Sequence, residues 1–344
     1  MKKHGVGIVG FGWVAGAHMT TFSELPAFET VAIMSRRKLD AAQIKAQYGA
    51  DVRIYNDYEK FLADKDIEIV DICTPHPFHA DQAVKAADAK KNLIIEKPMA
   101  LTLEDARRMV KAVKKNGVKT SMCFECRFIG VAKATKYIID QGLLGELYYA
   151  ECDYYHGIGP WYGQFPWNVK KDMGGSSLLT AGIHALDMLL YQAKEEVEEV
   201  FSYATKNPHE AYAPYEYPTT TVTMLKFKSG RIVGKCASLI DAMQPYVFSM
   251  NFVGSHGAIK NDLFYSKKIP GLRNWAKLDM QLVDSGDVAH HPYKEQFGDF
   301  AECLDAGRET STHIQNAFET HRVAFAADKS AATGKPVRLS EFTL

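Results

Sequence analysis

Two stretches of this 344-residue chain place chemically active side chains where a fold would present them. Glu96-Lys97-Pro98 ends the apolar run Leu93-Ile94-Ile95, so Lys97 sits at the carboxyl end of a predicted strand. An ammonium there can donate to a substrate hydroxyl and stabilise the alkoxide that develops as hydride leaves. Lysines also commonly follow strands with their heads in water, and that plain reading stands beside the chemical one. The second stretch runs from Gly174-Gly175 to Asp187. Its spacing predicts a helix over 177–191 with Thr180, His184 and Asp187 at i, i+4 and i+7, opposite Leu179, Ile183, Leu186 and Leu190. Hydroxyl, imidazole and carboxylate then share one stripe, and His184 can take a hydroxyl proton because imidazole titrates near working pH. A purely structural histidine is the competing reading.

Near the N-terminus, Val6-Gly7-Ile8-Val9-Gly10-Phe11-Gly12-Trp13-Val14-Ala15 runs an apolar strand into a glycine-rich turn and a predicted helix. Gly10 allows the tight turn, Gly12 lets backbone approach phosphates, and Ala15 lets the helix pack closely, which leaves its N-terminal N–H groups facing an anion. The pattern points to dinucleotide binding by Gly10, Phe11, Gly12, Trp13 and Val14. The next apolar run, Val31-Ala32-Ile33-Met34, ends in Ser35-Arg36-Arg37 where an NAD site places Asp or Glu. A hydroxyl followed by arginines suits a 2′-phosphate, so the expectation is NAD(P) with a lean to NADP. A solvated charged edge, or arginine stacked on adenine, would produce the same residues.

Length favours two domains, expected as 1–123 and 124–344. Forty-one basic residues balance forty-one acidic ones, which gives no reason to expect nucleic acid or an anionic membrane as partner. No run approaches a membrane span, the first residues do not read as a secretion signal, and six cysteines in apolar surroundings read as buried thiols of a cytoplasmic protein. His290-His291 lacks ligand spacing to other candidates, so no metal site is expected.

Up to residue 123, strand candidates at 5–10, 30–34, 52–55, 68–73, 92–95 and 119–123 alternate with helix candidates, among them 39–48, 57–63, 78–89 and Leu103–Asn116 capped by Thr102 and Gly117. That alternation predicts a doubly wound parallel sheet, with ligands outside the carboxyl ends of its strands, where Gly10, Ser35, Thr74, Glu96 and the stretch 123–127 all fall. After Gly145 the grammar changes to longer strands at 146–155, 197–205, 219–228, 231–240, 246–253 and 278–283, read as one large open, mainly antiparallel sheet. A helical region over 293–333 closes the chain. The segment from Tyr154 to Trp167 is dense in aromatic residues and glycine, and aromatic faces can stack on pyranose or inositol rings.

Taken together, Gly10-x-Gly12-x-x-Ala15-x-x-His18, Cys73-Thr74-Pro75 with His79, Glu96-Lys97-Pro98, Arg127-Phe128, Gly174-Gly175 through Gly182-x-His184-x-x-Asp187, and Ser330-Ala331-x-Thr333-Gly334-Lys335-Pro336-Val337 resemble the glucose-fructose oxidoreductase, inositol dehydrogenase and MocA family (Gfo/Idh/MocA). The resemblance spans nearly the whole chain. It implies an N-terminal Rossmann domain, a C-terminal α/β domain with an open sheet, a nicotinamide cofactor, and redox chemistry at a secondary carbon of a sugar, cyclitol or similar polyol. By that resemblance Lys97 and His184 form the catalytic pair, with Thr180 beside them. Thr74, Pro75, His79, Glu96, Lys97 and Arg127 join the cofactor site, and Tyr155, Trp161, Trp167, Lys171 and Asp172 border the substrate with Lys97 and His184. Thr180 departs from the aspartate that many relatives carry four residues before the histidine; threonine can orient but bears no charge, unless Asp172 or Asp187 substitutes. Glycoside cleavage with internally recycled NAD, and a non-catalytic dinucleotide sensor, are the alternatives. The exposed face of the large sheet suggests a homodimer or homotetramer.

Overall fold

In the computed structural model, which describes residues 3–284 and 286–344, six short strands form one sheet: β1 (His4–Val9), β2 (Phe28–Met34), β3 (Arg53–Tyr55), β4 (Ile69–Ile72), β5 (Asn92–Ile95) and β6 (Thr120–Met122). All pair in parallel in the order β3-β2-β1-β4-β5-β6, the doubly wound order whose reversal lies between β1 and β4. The apolar runs become strands because both faces are covered, and every residue of β1 is buried. The intervening helices are α1 (Trp13–Glu24), α2 (Ala41–Tyr48), α3 (Tyr58–Leu62), α4 (His79–Asp88) and α5 (Leu103–Asn116). They begin and end where their caps dictate. Asp40 accepts from Ala42 N–H ahead of α2, Thr102 accepts from Asp105 N–H ahead of α5, and Gly49 and Gly117 follow in the left-handed region.

The chain divides into two compact units. The first holds the residues up to Glu125 together with Pro292–Phe318, and the second holds Cys126–His291 together with Glu319–Leu344. A single cut at 123 lies close to the first crossing, but 292–318 belongs with the first unit and not with the second. The reason is apolar. The expected helical region over 293–333 is two helices with a break between them, and the earlier one, from Tyr293 to Asp305, sends Tyr293, Phe297 and Phe300 into the core formed by Phe22, Phe28 and Met19.

The second unit is built on nine strands: β7 (Leu147–Tyr155), β8 (Val197–Thr205), β9 (Thr220–Phe227), β10 (Val233–Leu239), β11 (Val247–Gly254), β12 (Gly257–Lys260), β13 (Leu263–Ser266), β14 (Ala276–Lys277) and β15 (Val337–Arg338). Their order is β14-β13-β12-β11-β7-β10-β9-β8-β15, antiparallel except between β7 and β10. Ser229-Gly230 makes the β9–β10 turn, with Gly230 in the left-handed region. The expected strand over 278–283 does not form. Its alternating Met280 and Leu282 stay exposed because the chain leaves the sheet edge after the two residues of β14, while the hairpin β12–β13 went unread in the sequence. The C-terminal Ser330-to-Val337 motif has a structural use, since Ser330 Oγ donates to Lys335 C=O and accepts from Ser202 N–H on β8. Among the described residues no helix is long and apolar enough to cross a membrane.

Candidate functional site

The glycine turn at the end of β1 has the shape its residue types require. Gly10 takes φ +84°, and a Cβ there would meet Thr74 Cγ2 at 2.8 Å and Cys73 C=O at 3.0 Å. Gly12 is the N-cap of α1 and offers no side-chain cap, and a Cβ built on it would meet nothing within 4 Å. The first N–H groups of α1 therefore face open space at the positive end of the helix, a cradle into which the pyrophosphate of a dinucleotide fits. Ala15 is fully buried, Phe11 and Val14 are half-buried, and Trp13 is exposed beside the turn. At the end of β2, buried Ser35 accepts from Arg37 N–H through its Oγ at 3.1 Å. The Arg37 guanidinium donates back to the carbonyl of Phe11, and Arg36 lies over the Phe78 ring at 5.3 Å. These exposed arginines thus lie against the turn and its neighbour.

Half-buried Lys97 follows β5, and buried groups brace it from below. Its N–H donates to Glu96 Oε2 at 3.1 Å, and Tyr293 Oη donates to Glu96 Oε1 at 3.3 Å. His18, fully buried on α1, holds Asp71 Oδ2 at 3.0 Å through Nδ1, while its Nε2 lies at ion-pair distance, 3.2 Å, from Glu96 Oε1. Burial opposes charge on this imidazole, but the neighbouring Asp71 carboxylate prevails and holds its pKa well above the ordinary histidine range. His79 presents both ring nitrogens to main-chain carbonyls, Nδ1 to Pro98 at 2.8 Å and Nε2 to Thr74 at 2.6 Å. It joins the loop after β4 to the Lys97-Pro98 turn and is a positioning residue. Thr74 Oγ1 donates to Gln82 at 2.6 Å, and Pro75 leads the short turn His76–Phe78 into α4. Glu96 likewise acts through Lys97.

In the second unit, Gly174-Gly175 precedes a π-helical turn, Leu178–Gly182, which runs into α9 (Ile183–Ala193). Helices α6 (Gly130–Asp140), α7 (Phe165–Asn168) and α8 (Lys171–Gly174) come before it. Glycine is required at 174, where a Cβ would meet Asn168 C=O at 2.3 Å, and at 182, where it would meet Ser238 Oγ at 2.2 Å on β10. Gly182 thereby lets the helix rest on the sheet, which seats His184, almost fully buried, over Tyr154 of β7 with ring centroids 6.3 Å apart and nearly parallel planes. Single π-turns inside helices recur at functional sites. The widened turn also breaks the expected α-helical stripe, and its three members have separate partners. Thr180 Oγ1 donates to Asn168 Oδ1 at 2.6 Å, beside Tyr217, so the place of the usual aspartate belongs to a neutral network. Asp187 accepts from Arg127 Nε at 2.6 Å and Nη2 at 2.5 Å and from Thr320 Oγ1 at 2.9 Å. Arg127 also lies over Tyr191 at 4.6 Å. Arg127 and Asp187 are therefore a buried bidentate pair: the arginine expected at the cofactor braces α9 through Asp187, and Asp187 does not stand in for the missing aspartate.

Along β7 the faces alternate. Tyr154 faces His184, so Tyr155 turns to the opposite face, where its hydroxyl donates to Asp153 Oδ2 at 2.9 Å within a network of Glu151, Asp153 and Lys235. Strand period thus turns Tyr154, and not Tyr155, toward the His184 helix. A pocket of about 640 Å³ opens between the segment after β7, residues 242–246, and Asp284, Gly286, Asp287 and His290. Trp161 lines it, joined by His156, Tyr246, Met243, Asp284 and Asp287, while Trp167, Lys171 and Asp172 do not; the last two are exposed on α8. Alternation on β7 could have found Tyr154 beside His184, whereas no local pattern announces the pocket residues Tyr246, Asp284 or Asp287. All six cysteines are free thiols, five of them buried, and burial pushes the thiols of Cys123 and Cys152 well up.

Residues 4–124 match the oxidoreductase family with an NAD-binding Rossmann fold, and 132–260 match the GFO/IDH/MocA C-terminal domain. The chain is 26% identical over 350 residues to the uncharacterized oxidoreductase YrbE of Bacillus subtilis (strain 168), covering 98% of this chain and 97% of that one. It is 27% identical over 341 residues to myo-inositol 2-dehydrogenase of Thermotoga maritima, covering 98% of each. Its fold matches that of a levoglucosan dehydrogenase solved with NADH and levoglucosan, with a TM-score of 0.86 at 21% identity over 98% of this chain and 100% of that one. With both family regions matched in order, and with the glycine turn, the Glu96-Lys97-Pro98 corner and the Gly182-x-His184 helix each in place, the chain belongs to the Gfo/Idh/MocA family of oxidoreductases.

Proposed function

We propose that this protein oxidises a secondary alcohol of a cyclic polyol, a sugar or cyclitol, or reduces the matching ketone. Lys97 donates from its ammonium to the reacting oxygen, an interaction that strengthens as negative charge develops there. His184 takes the hydroxyl proton in oxidation and returns it in reduction. The nicotinamide, when bound, supplies C4 as the hydride acceptor or donor. The observation that carries this reading is the placement of Lys97 at the carboxyl end of β5, its main-chain N–H held by Glu96 and Glu96 in turn beside buried His18 and Asp71, on the sheet edge that also carries the Gly10–Gly12 turn. Thr180 positions the π-turn through Asn168, so the residue four before His184 supplies a neutral hydrogen bond and no charge.

The preferred cofactor in this reading is NADP, because β2 ends in Ser35, Arg36 and Arg37 with no carboxylate to meet a free ribose hydroxyl. Six free thiols suit the reducing cytoplasm, and exposed Tyr203, Val222, Met224 and Val233 on β8, β9 and β10 suit burial in a homodimer or homotetramer. The test is a calorimetric titration with NADP and NAD, followed by a panel of inositols and pyranoses assayed for reduced nicotinamide. Tighter NADP binding with turnover of a ring polyol is expected. Affinity for neither dinucleotide overturns the reading, and retained, non-exchanging NAD replaces it with internally recycled redox chemistry.

A further inference from the structure

The pocket beside His156 and Trp161 lies wholly within the second unit, and it is continuous with the layer of rings around His184. Tyr154 stacks on His184, and Tyr246 meets Tyr154 edge-on at 5.4 Å and His156 at 5.5 Å. The pocket wall thus begins one aromatic ring away from the proposed base. Its volume of about 640 Å³ falls within the range of about 300–1,000 Å³ that holds drug-sized ligands, and since His184 is not among its lining residues this is room additional to that of the reacting ring. Trp161 is 63% exposed at the mouth, although its Nε1 is anchored to Gly157 C=O at 3.0 Å, and a side chain at Gly159 would strike its ring at 2.4 Å. A large aromatic face held in fixed orientation and left open to water is built to receive another flat apolar face.

The rim adds a charge filter. Asp284 and Asp287 line the pocket, with His290 Nδ1 3.0 Å from Asp284, and no lysine or arginine appears among the described lining residues. Carboxylates accept hydrogen bonds from sugar hydroxyls and repel phosphate or carboxylate groups. The geometry points to a second-ring subsite: the substrate is a neutral glycoside in which one ring reacts at His184 while a second glycosyl ring stacks on Trp161, its hydroxyls held by Asp284 and Asp287. This deepens the oxidoreductase reading and rests on it for the identity of the reacting ring.

The test compares free monosaccharides, the matching α- and β-linked disaccharides, and the same disaccharides carrying phosphate on the second ring. Binding is read by calorimetry on the nucleotide-loaded protein, and turnover by reduced nicotinamide. At least one neutral disaccharide binds ten times tighter or better than its monosaccharide, and its phosphorylated form binds at least tenfold more weakly than the neutral one. Trp161→Ala shrinks the disaccharide-to-monosaccharide ratio at least fivefold, Trp161→Phe restores most of it, and the Asp284→Asn, Asp287→Asn pair narrows the discrimination against phosphate. Equal affinity for one ring and two, or an unchanged ratio in folded Trp161→Ala, overturns the subsite while the oxidoreductase reading stands. Tight disaccharide binding without turnover of any sugar upholds the subsite and overturns that reading. An aryl glucoside that binds tighter than every disaccharide overturns the glycosyl assignment in favour of an aromatic aglycone.

Discussion

The two units prepare their functional side chains by opposite means. In the first, they sit on short loops at the carboxyl ends of parallel strands, and each loop is fixed from within: Glu96 receives Lys97 N–H, and His79 bridges Thr74 and Pro98. In the second, His184 sits on a helix whose height above the sheet is set by contact between Gly182 and Ser238, and its surroundings come from strand faces far apart in sequence. The difference teaches that spacing along the chain can specify a loop at a strand end, whereas a site on a sheet face depends on register.

The sharpest way to break the comparison is to remove the two proposed catalytic groups separately. Lys97→Ala and His184→Ala should each lower kcat by about 10²–10⁴-fold, the range for loss of a positioned proton-transfer or oxyanion-stabilising group. Lys97→Ala should weaken nucleotide binding, as followed by calorimetry, far less than it lowers kcat, because the Gly10–Gly12 turn is untouched. If either variant retains wild-type kcat on the true substrate, its residue has been assigned wrongly.

Glycines separate the units next. Gly12→Ala adds a methyl group into open space at φ −111°, so the melting temperature should hold while affinity for dinucleotide falls at least tenfold. Gly182→Ala drives the same methyl group to 2.2 Å from Ser238 Oγ and should cost about 1–3 kcal/mol of stability, the usual range for overpacking. Paired thermal melts and nucleotide titrations decide both. Equal loss of stability in the two variants would erase the contrast.

What the sequence disclosed follows the same line. The order of β1–β6, the caps of α5, the turn at Gly10 and the placement of Lys97 all arise from local patterns, and they were legible. The π-turn was not, because a period of 3.6 assumes the ordinary helix, so Thr180 and Asp187 were grouped with His184 although each bonds elsewhere. Nor was the return of residues 292–318 to the first core, which depends on Tyr293 and Phe297 finding Phe22 some 270 residues earlier. The tyrosines of β7 show the finest limit: the aromatic segment is legible, but a strand alternates, and only the pairing of β7 with β10 decides which tyrosine meets the helix. Tyr154→Ala should therefore lower kcat/KM about three- to tenfold, the equivalent of a ring contact of about 0.5–1.5 kcal/mol, whereas Tyr155→Phe should stay within twofold of wild type. Steady-state kinetics on the two variants would expose a register error if the order were reversed.

The most gradual expected effect, spread over several pH units with every residue in place, is on the pH dependence of stability, and it belongs to the first unit alone. His18 is enclosed by Asp71, Glu96, Cys73, Cys123 and Tyr293, and its pKa in the folded chain lies well above that of an unfolded histidine, about 6.5. Below that unfolded value both states hold the proton and the pair contributes in full. As pH rises past it, the unfolded imidazole gives up its proton while the folded one keeps it, so the folded state binds more protons and stability falls until the folded pKa is passed. The loss should total about 1–3 kcal/mol, the cost of leaving a buried carboxylate without its partner. Urea melts from about pH 6 to about pH 9 should show the midpoint sliding down, and hydrogen exchange should place the loosening in α1 and β4. His18→Gln keeps a polar side chain but no titrating charge; it should be less stable at pH 6 and should lose the slope. A wild-type midpoint that stays flat across this window would mean that His18 is neutral and that Lys97 is braced by Glu96 without an imidazolium beneath it.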